Sequence, residues 1–279
     1  MKPEWNQPEL ALESVADDGD APTHYPINEI FGPTIQGEGP MIGRRTFFVR
    51  FAGCDYDCLW CDTKYAVNPK YPGWAVKRLT ASEIIYSLRN YGCRHGDVVT
   101  LSGGNPALFV EDELCSLLGS QGYSLAIETQ GSKVLPTGLL NRLDVVVVSP
   151  KPPSSGMADR TNYEVLADLL RRHFMDTSVD NVLAIKIVVF TDEDFDWAVA
   201  FRQRMVDLLG NDLTNFYSWY MSVGTLNSTD LEETLATHRN EICDRMAWLM
   251  EKVLSSPDYG VWRVLPQLHS LAWGNKRGV

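Results

Sequence analysis

The stretch Phe51-Ala52-Gly53-Cys54-Asp55-Tyr56-Asp57-Cys58-Leu59-Trp60-Cys61 places three cysteines at C-x3-C-x2-C spacing. It directly follows residues 46–51, whose β-branched and aromatic side chains predict a β-strand. Thiolates are soft ligands that suit iron–sulfur clusters, and a loop this short can wrap one face of a cubane cluster. The spacing therefore predicts a 4Fe-4S cluster on Cys54, Cys58 and Cys61, with one iron left without a protein ligand.

An iron without a protein ligand can chelate the amino and carboxylate groups of S-adenosylmethionine (SAM). The sulfonium of this cofactor then lies close enough to the cluster to receive an electron. Homolytic cleavage of SAM gives a 5'-deoxyadenosyl radical, so the cysteine loop predicts radical chemistry.

The cysteine loop has two other interpretations. Structural zinc normally takes four protein ligands, and the fourth would have to come from the distant Cys93, His95 or Cys115. Three buried cysteines acting as small hydrophobic residues fit poorly with the aspartates beside them. The remaining cysteines, Cys93, Cys115 and Cys243, lack such neighbours, and we expect them to be buried or inert.

Short apolar runs alternate with longer amphipathic stretches from residue 25 onward, which indicates βα units around a parallel sheet. The predicted strands cover residues 46–51, 98–101, 124–127, 145–149, 184–190, 217–223 and 261–265. The predicted helices cover residues 81–91, 109–121, 163–174, 193–209 and 230–254. Thr80 and Glu83 form a predicted capping box at the first of these helices.

Composition and charge narrow the function classes. The net charge of -11 opposes binding to nucleic acid phosphates, and no apolar run is long enough for a membrane helix. Residues 1–24 are acidic, lack a signal-peptide pattern, and predict a flexible tail before a single domain at residues 25–279. We expect a cytoplasmic protein with a small-molecule substrate.

The cysteine motif, with Trp60 before its last cysteine, resembles the signature of the radical SAM superfamily. Longer stretches resemble the 7-carboxy-7-deazaguanine synthase family within it. They are NEIFGPTIQGEG (28–39), FVR (48–50), CDT (61–63), SGGNP (102–106), ETQG (128–131), SPKPP (149–153), PQLH (266–269) and WGNKRGV (273–279). Together these stretches span nearly the whole chain after residue 25.

The resemblance implies conversion of 6-carboxy-5,6,7,8-tetrahydropterin to 7-carboxy-7-deazaguanine with loss of ammonia, in the route to 7-deazapurines such as queuosine. It implies a 4Fe-4S cluster, SAM and Mg²⁺ as cofactors, with a homodimer and an electron donor such as flavodoxin or ferredoxin as partners. The residues implied to surround SAM are Trp60, Asp62, Gly104, Glu128, Ser149, Pro150 and Lys151. Those implied to bind the pterin are Ile35, Gln36, Gly37, Glu38, Arg50 and Ser102. Thr63 is implied as the protein ligand of magnesium.

Physical chemistry supports several of these implied roles. A carboxylated pterin needs a planar cation such as Arg50 for its acid group, and Gln36 and Glu38 can bind its ring edge. Magnesium prefers oxygen ligands, so the single hydroxyl of Thr63 makes sense only if the substrate carboxylate completes the site. Asn105 departs from the glutamate that many superfamily members carry in a Gly-Gly-Glu-Pro motif, and it lacks the charge for a strong contact with an ammonium group.

The motifs also occupy consistent positions in the predicted fold. The cysteine loop, Gly103-Gly104, Glu128 and residues 149–151 each follow a different predicted strand, and the ends of such strands form the active site in β/α barrels. We therefore predict an α/β fold, an incomplete or modified parallel (β/α) barrel of the radical SAM type.

Two other functions stay open at this point. A radical SAM activase of a glycyl radical enzyme would use the same cluster on a polypeptide substrate, but Arg50 and residues 36–39 favour the pterin. A non-enzymatic iron–sulfur or zinc interaction module would need neither SAM nor the SPK motif at residues 149–151.

Overall fold

A computed structural model describes residues 22–176, 181–225, 235–258, 260–274 and 276–278. Their strands are β1 (Tyr25–Ile35), β2 (Arg45–Phe51), β3 (Lys77–Leu79), β4 (Val98–Gly103), β5 (Ser124–Thr129), β6 (Val145–Val148), β7 (Val182–Val189), β8 (Ser218–Val223) and β9 (Trp262–Leu265). They form one sheet in the order β3-β1-β2-β4-β5-β6-β7-β8-β9. Neighbouring strands from β2 to β9 in this order run parallel, whereas β1 pairs antiparallel with β2 and β3.

The sheet does not close, because β3 and β9 are its two edges. The predicted α/β fold with an incomplete barrel is therefore confirmed. Each of the seven predicted strands is present, with bounds that differ from the expectation by at most two residues at either end.

The helices are α1 (Lys64–Val67), α2 (Ala81–Asn90), α3 (Asp112–Ser120), α4 (Thr137–Leu140), α5 (Tyr163–Met175), α6 (Asp192–Leu209), α7 (Asn211–Phe216), α8 (Leu235–Ser255) and α9 (Leu268–Trp273). The capping box of Thr80 and Glu83 at α2 is confirmed. Residues 230–234 of the predicted helix 230–254 lie outside the described residues, as do residues 1–21 of the predicted tail. Among the described helices, none combines the length and apolar character needed to cross a lipid bilayer.

The two antiparallel strands were not predicted. Gly32 and Pro33 interrupt the alternation of β1, and the register shifts between Phe31 and Thr34 around them, as at a bulge. The other strand, β3, is a short edge strand whose Lys77 and Arg78 are exposed, which is how edges avoid further pairing. Neither pattern has the apolar periodicity that identifies a buried strand.

The parallel strands present two different faces. Successive side chains of a strand point to opposite sides, so Leu101 and Ile127 pack in the large core that also buries the apolar faces of the longer helices. Along each strand, residues that face this core alternate with residues on the opposite face of the sheet. The opposite face carries polar side chains, among them Ser102, Glu128 and Lys186. These polar side chains line a cavity at the sheet, and this cavity is where the predicted motifs meet.

Candidate active site

The cysteine loop follows β2 and is held by backbone hydrogen bonds on two sides. The amide of Gly53 donates to the carbonyl of Ala66 in α1 at 2.7 Å. The amide of Leu59 donates to the carbonyl of Ser155, in the turn after β6, at 2.9 Å. These contacts fix the loop against two separate segments of the chain, so its three thiols have a defined position.

The thiols of Cys54, Cys58 and Cys61 line one cavity of about 220 Å³. Burial raises the pKa of Cys54 to about 11 and also raises the pKa of Cys58 and Cys61. Thiolates are therefore disfavoured here unless a cationic group binds them, and iron ions are such a group. Within the described ranges, no three His, Cys, Asp or Glu side chains converge on a single ion, as a zinc site would require. Three loop thiols that line one cavity are nevertheless the kind of donor that iron–sulfur clusters take.

Two glycines let the end of β4 approach the cysteine loop. A Cβ on Gly103, whose φ is +121°, would lie 2.3 Å from the carbonyl oxygen of Phe51. A Cβ on Gly104 would lie 2.0 Å from the carbonyl oxygen of Gly53. Both glycines thus allow two backbone segments to pack closely, and both also line the cavity.

The carboxylate of Glu128, at the end of β5, accepts two hydrogen bonds. Ser102 donates from Oγ to Oε2 at 2.8 Å, and Gln36 donates from Nε2 to Oε1 at 3.0 Å. The Oε1 atom of Gln36 accepts from the backbone amide of Gly37 at 2.8 Å. These residues from three separate segments therefore form one connected polar wall of the cavity.

A second polar group is centred on Glu38. Its carboxylate is paired with the buried ammonium of Lys186 in β7 and accepts a hydrogen bond from the side-chain amide of Gln267. Burial by itself would raise the pKa of Glu38, but the charge of Lys186 and these hydrogen bonds lower it to about 2. The pKa of Lys186 is raised, because attraction to Glu38 and Glu128 outweighs the effect of burial. The cavity therefore holds an ionised carboxylate at this corner.

Arg50, near the end of β2, is paired within the protein. Its Nε donates to Oε1 of Glu29 at 2.8 Å, and its guanidinium lies 5.4 Å from the ring centre of Phe31. Within the described residues its two Nη atoms make no hydrogen bond, and the side chain lines the cavity. The structural ion pair and a role in ligand binding are therefore compatible, because they use different nitrogens.

An aromatic wall lies on the side of the SPK motif. Trp60 packs on Phe190 with ring centres 4.8 Å apart, and its indole nitrogen donates to Oγ of Ser154 at 2.9 Å. The ammonium of Lys151 lies 5.7 Å from the Trp60 ring centre and donates to Oγ of Ser149 at 3.0 Å. This wall combines an aromatic surface with a cation.

Most of the predicted site residues thus line the same cavity. These are Ile35, Gln36, Gly37, Glu38, Arg50, Cys54, Cys58, Trp60, Cys61, Asp62, Thr63, Ser102, Gly104, Glu128, Ser149 and Lys151. Pro150 does not line it. The structure brings these residues together, while the chemical role of each remains a prediction.

Asn105 does not face the cavity. Its fully buried amide donates from Nδ2 to Oδ1 of Asp55 at 3.0 Å and to Oγ of Ser132 at 3.1 Å, and Oδ1 accepts from Thr129 Oγ1 at 2.9 Å. All of its polar groups are therefore used inside the protein. This arrangement gives no support for a contact between Asn105 and the ammonium group of a ligand. The residue fixes the cysteine loop through Asp55 instead.

The other cysteines differ among themselves. Cys93 and Cys115 are buried in the large core, which agrees with the expectation for them. Cys243 is exposed on α8.

Several cavity residues were not predicted. Lys186, Gln267, His269 and Gln130 also line it, and Gln130 Nε2 lies 3.8 Å from the sulfur of Cys54. One signal was available for Lys186, since a lysine in the centre of the apolar strand VLAIKIVV is costly to bury without a paired charge. Gln130 directly follows β5, Gln267 precedes α9 and His269 lies within it. All three belong to the motifs ETQG and PQLH, so the motifs, rather than hydrophobic periodicity, carried the signal for them.

Both the fold and the sequence are similar to those of known proteins. The structure of QueE from Escherichia coli is similar with a TM-score of 0.61 and 23% sequence identity, over 88% of this chain and 95% of that chain. This likeness shows the fold. No family model matches the chain.

Curated sequences give closer relatives. The 7-carboxy-7-deazaguanine synthase of Bacillus subtilis (strain 168) is 38% identical over 260 residues, which cover 91% of this chain and 98% of the relative. The enzyme of the same name from Bacillus cereus (strain ATCC 14579) is 37% identical over 255 residues, with the same two coverages. The chain therefore belongs to the 7-carboxy-7-deazaguanine synthase family of radical SAM enzymes.

Proposed function

We propose that the protein converts 6-carboxy-5,6,7,8-tetrahydropterin to 7-carboxy-7-deazaguanine and ammonia, in the route to queuosine. The observation that carries this proposal is a single cavity lined by three loop thiols, by the cation Arg50 and by the ionised Glu38. When bound, the cluster and SAM would supply a 5'-deoxyadenosyl radical. The protein has to hold the pterin beside that radical and keep it in one orientation.

The SAM side of the cavity is assigned to Trp60, Lys151 and their neighbours. The Trp60 ring offers an apolar face to the adenosine, and Ser149 and Lys151 offer polar contacts. Asp62, Gly104 and Glu128 complete this side, and Pro150 has a supporting role in the turn after β6. Cys54, Cys58 and Cys61 would hold the cluster.

The pterin side is assigned to the segment after β1 and to β2. The Nη atoms of Arg50 that are not used by Glu29 can bind a carboxylate. Glu38 can accept hydrogen bonds from the amino group and ring N–H of the pterin, because a carboxylate with a pKa of about 2 stays ionised at neutral pH. Ile35, Gln36, Gly37 and Ser102 would form the rest of this surface.

Thr63 is proposed to bind magnesium. It directly precedes α1, two residues after Cys61, and its Oγ1 lies 3.6 Å from the sulfur of that cysteine. Magnesium needs several oxygen ligands, so water and the substrate carboxylate would have to complete the site. Thr63 would then hold the metal in the part of the cavity that Cys61 and Asp62 also line.

The partners follow from this chemistry. Reduction of a cluster requires an electron donor, which we propose to be a flavodoxin or ferredoxin, and we propose a homodimer in the cytoplasm. The family membership supports this reading over an activase or an interaction module.

Anaerobic turnover tests the proposal. Reconstituted protein with SAM, a reductant and carboxytetrahydropterin should form 7-carboxy-7-deazaguanine and ammonia in equal amounts, as measured by mass spectrometry and an ammonia assay. The matched control omits the pterin and measures SAM cleavage alone. SAM cleavage without any deazaguanine product would contradict the substrate assignment, whereas absence of cleavage by protein with a complete cluster would contradict the radical mechanism.

A further inference from the structure

The C-terminal segment reaches the same carboxylate that holds Arg50. Glu29, on β1, accepts from Arg50 Nε on Oε1 at 2.8 Å and from Arg277 Nε on Oε2 at 2.9 Å. The hydroxyl of Tyr65 also donates to Oε1, at 3.1 Å. One carboxylate thus binds two guanidinium groups and a phenol, and each guanidinium uses its Nε for this contact.

Further contacts hold Arg277 at this position. Its guanidinium lies 3.8 Å from the ring centre of Tyr65, and one of its Nη atoms donates to Oδ1 of Asn28 at 3.3 Å. Asn28 is itself fixed, because its Nδ2 donates to the carbonyl oxygens of Tyr65 and Ala75 at 3.2 and 2.8 Å. The C-terminal segment, α1 and the loop between α1 and β3 therefore meet at Asn28 and Glu29, beside the cavity.

The charges around Arg50 depend on this contact. The carboxylates of Glu29 and Asp62 lie near Arg50 and bring two negative charges, whereas the guanidinium of Arg50 brings one positive charge. Burial raises the pKa of Tyr65 to about 12, so its hydroxyl is neutral at physiological pH. Without Arg277 this corner would be net negative and would repel an anion. With Arg277 these charges sum to zero, so a carboxylate that approaches the Nη atoms of Arg50 meets no net negative charge from this group.

We propose that Arg277 is a substrate-positioning residue, which shares Glu29 with Arg50 and thereby keeps Arg50 competent to bind the carboxylate of the pterin. This inference rests on the proposed function, since it requires a carboxylated substrate. Arg277 itself does not line the cavity, so it acts through Glu29. The C-terminal segment is then part of the specificity of the site for acid-bearing pterins.

The test compares two ligands on the wild-type protein and on variants of Arg277 and Arg142. Arg277→Ala removes the second guanidinium, and because this side chain is 42% exposed the substitution should be tolerated. Arg142→Ala is the matched control. Arg142 forms an exposed ion pair with Asp112, with 3.2 Å between Nε and Oδ1, and neither residue lines the cavity. The ligands are 6-carboxypterin and pterin, which differ by the carboxylate. Their binding to cluster-loaded protein with SAM is measured by equilibrium dialysis and pterin fluorescence.

We expect Arg277→Ala to weaken binding of 6-carboxypterin by about 3- to 10-fold, a range typical of one partly exposed charge contact together with a cation–π contact. Binding of pterin should change less than 2-fold, and Arg142→Ala should match wild type with both ligands. The KM for carboxytetrahydropterin should rise with the same factor while kcat changes little. Arg277→Lys should recover part of the loss, because it restores the charge without the planar donor pair.

Equal weakening of both ligands, or none, would overturn the inference. These outcomes are separable from failure of the proposed function. If wild type forms deazaguanine product but Arg277→Ala keeps its preference for the carboxylated ligand, only the role of Arg277 is wrong. If wild type forms no product and does not prefer the carboxylated ligand, the substrate assignment is wrong.

Discussion

Lys186→Met should be the most informative substitution for the stability of the site. It replaces a buried ammonium with an apolar side chain of similar length and leaves the carboxylate of Glu38 without its counter-charge. The side chains are 9% and 13% exposed, so little solvent is available to compensate. Removing one partner of a buried ion pair costs about 3 to 5 kcal/mol, because the other charge stays buried.

The lowered pKa of Glu38 reflects this ion pair together with the charge of His269 and the hydrogen bond from Gln267. The difference between 4.5 and about 2 corresponds to about 3 kcal/mol of stability. Because the pKa is lowered in the folded state, this contribution is fully present above pH 4.5 and is lost as the pH falls toward 2. Because loss of the partner charge leaves Glu38 buried and unpaired, the free energy of unfolding at pH 7 should fall by about 3 kcal/mol in Lys186→Met.

The assay is urea unfolding of anaerobically reconstituted protein, followed by circular dichroism at pH 7 and at steps down to pH 3. The difference between wild type and Lys186→Met should be largest at pH 7 and should shrink below pH 4.5. The double variant Lys186→Met with Glu38→Gln should recover about 2 kcal/mol, because no charge is then left buried. A difference that stays constant with pH, or a double variant as unstable as the sum of its single variants, would refute the electrostatic reasoning.

Three further predictions concern the cluster, the metal and the backbone. Cys58→Ala should abolish formation of 5'-deoxyadenosine by reconstituted protein, whereas Cys243→Ala on the exposed face of α8 should retain it; full activity of the Cys58 variant would contradict the cluster assignment. Thr63→Ala should weaken magnesium stimulation of turnover and leave the visible and electron paramagnetic resonance spectra of the cluster intact, and an unchanged magnesium titration would remove Thr63 from the metal site. Gly104→Ala should lower the melting temperature and the cluster content, because its Cβ would lie 2.0 Å from the carbonyl oxygen of Gly53. Gly119→Ala on α3, with open space around it, should behave as wild type. Equal behaviour of the two variants would argue against the packing role of Gly104.

The parallel strands could be predicted because burial on both faces of a sheet leaves a clear pattern in the chain. Runs such as VVVV at residues 145–148 are apolar throughout, and each is followed by a turn. The antiparallel strands β1 and β3 have no such pattern. β1 contains Gly32 and Pro33, and β3 is a short exposed edge, so their pairing depends on β2 and on each other.

The sequence by itself determined the family, the enzyme function and the set of motifs, because thiol spacing and short polar motifs at strand ends are local properties of the chain. The comparisons confirmed the family and the function. Only the tertiary structure decided how the polar groups are paired. Glu38 meets Lys186 and Gln267, and Glu29 meets Arg50 and Arg277, across separations of up to 248 residues. Such pairings depend on which strands and segments become neighbours in the folded sheet, and hydrophobic periodicity carries no information about the partner of a buried charge.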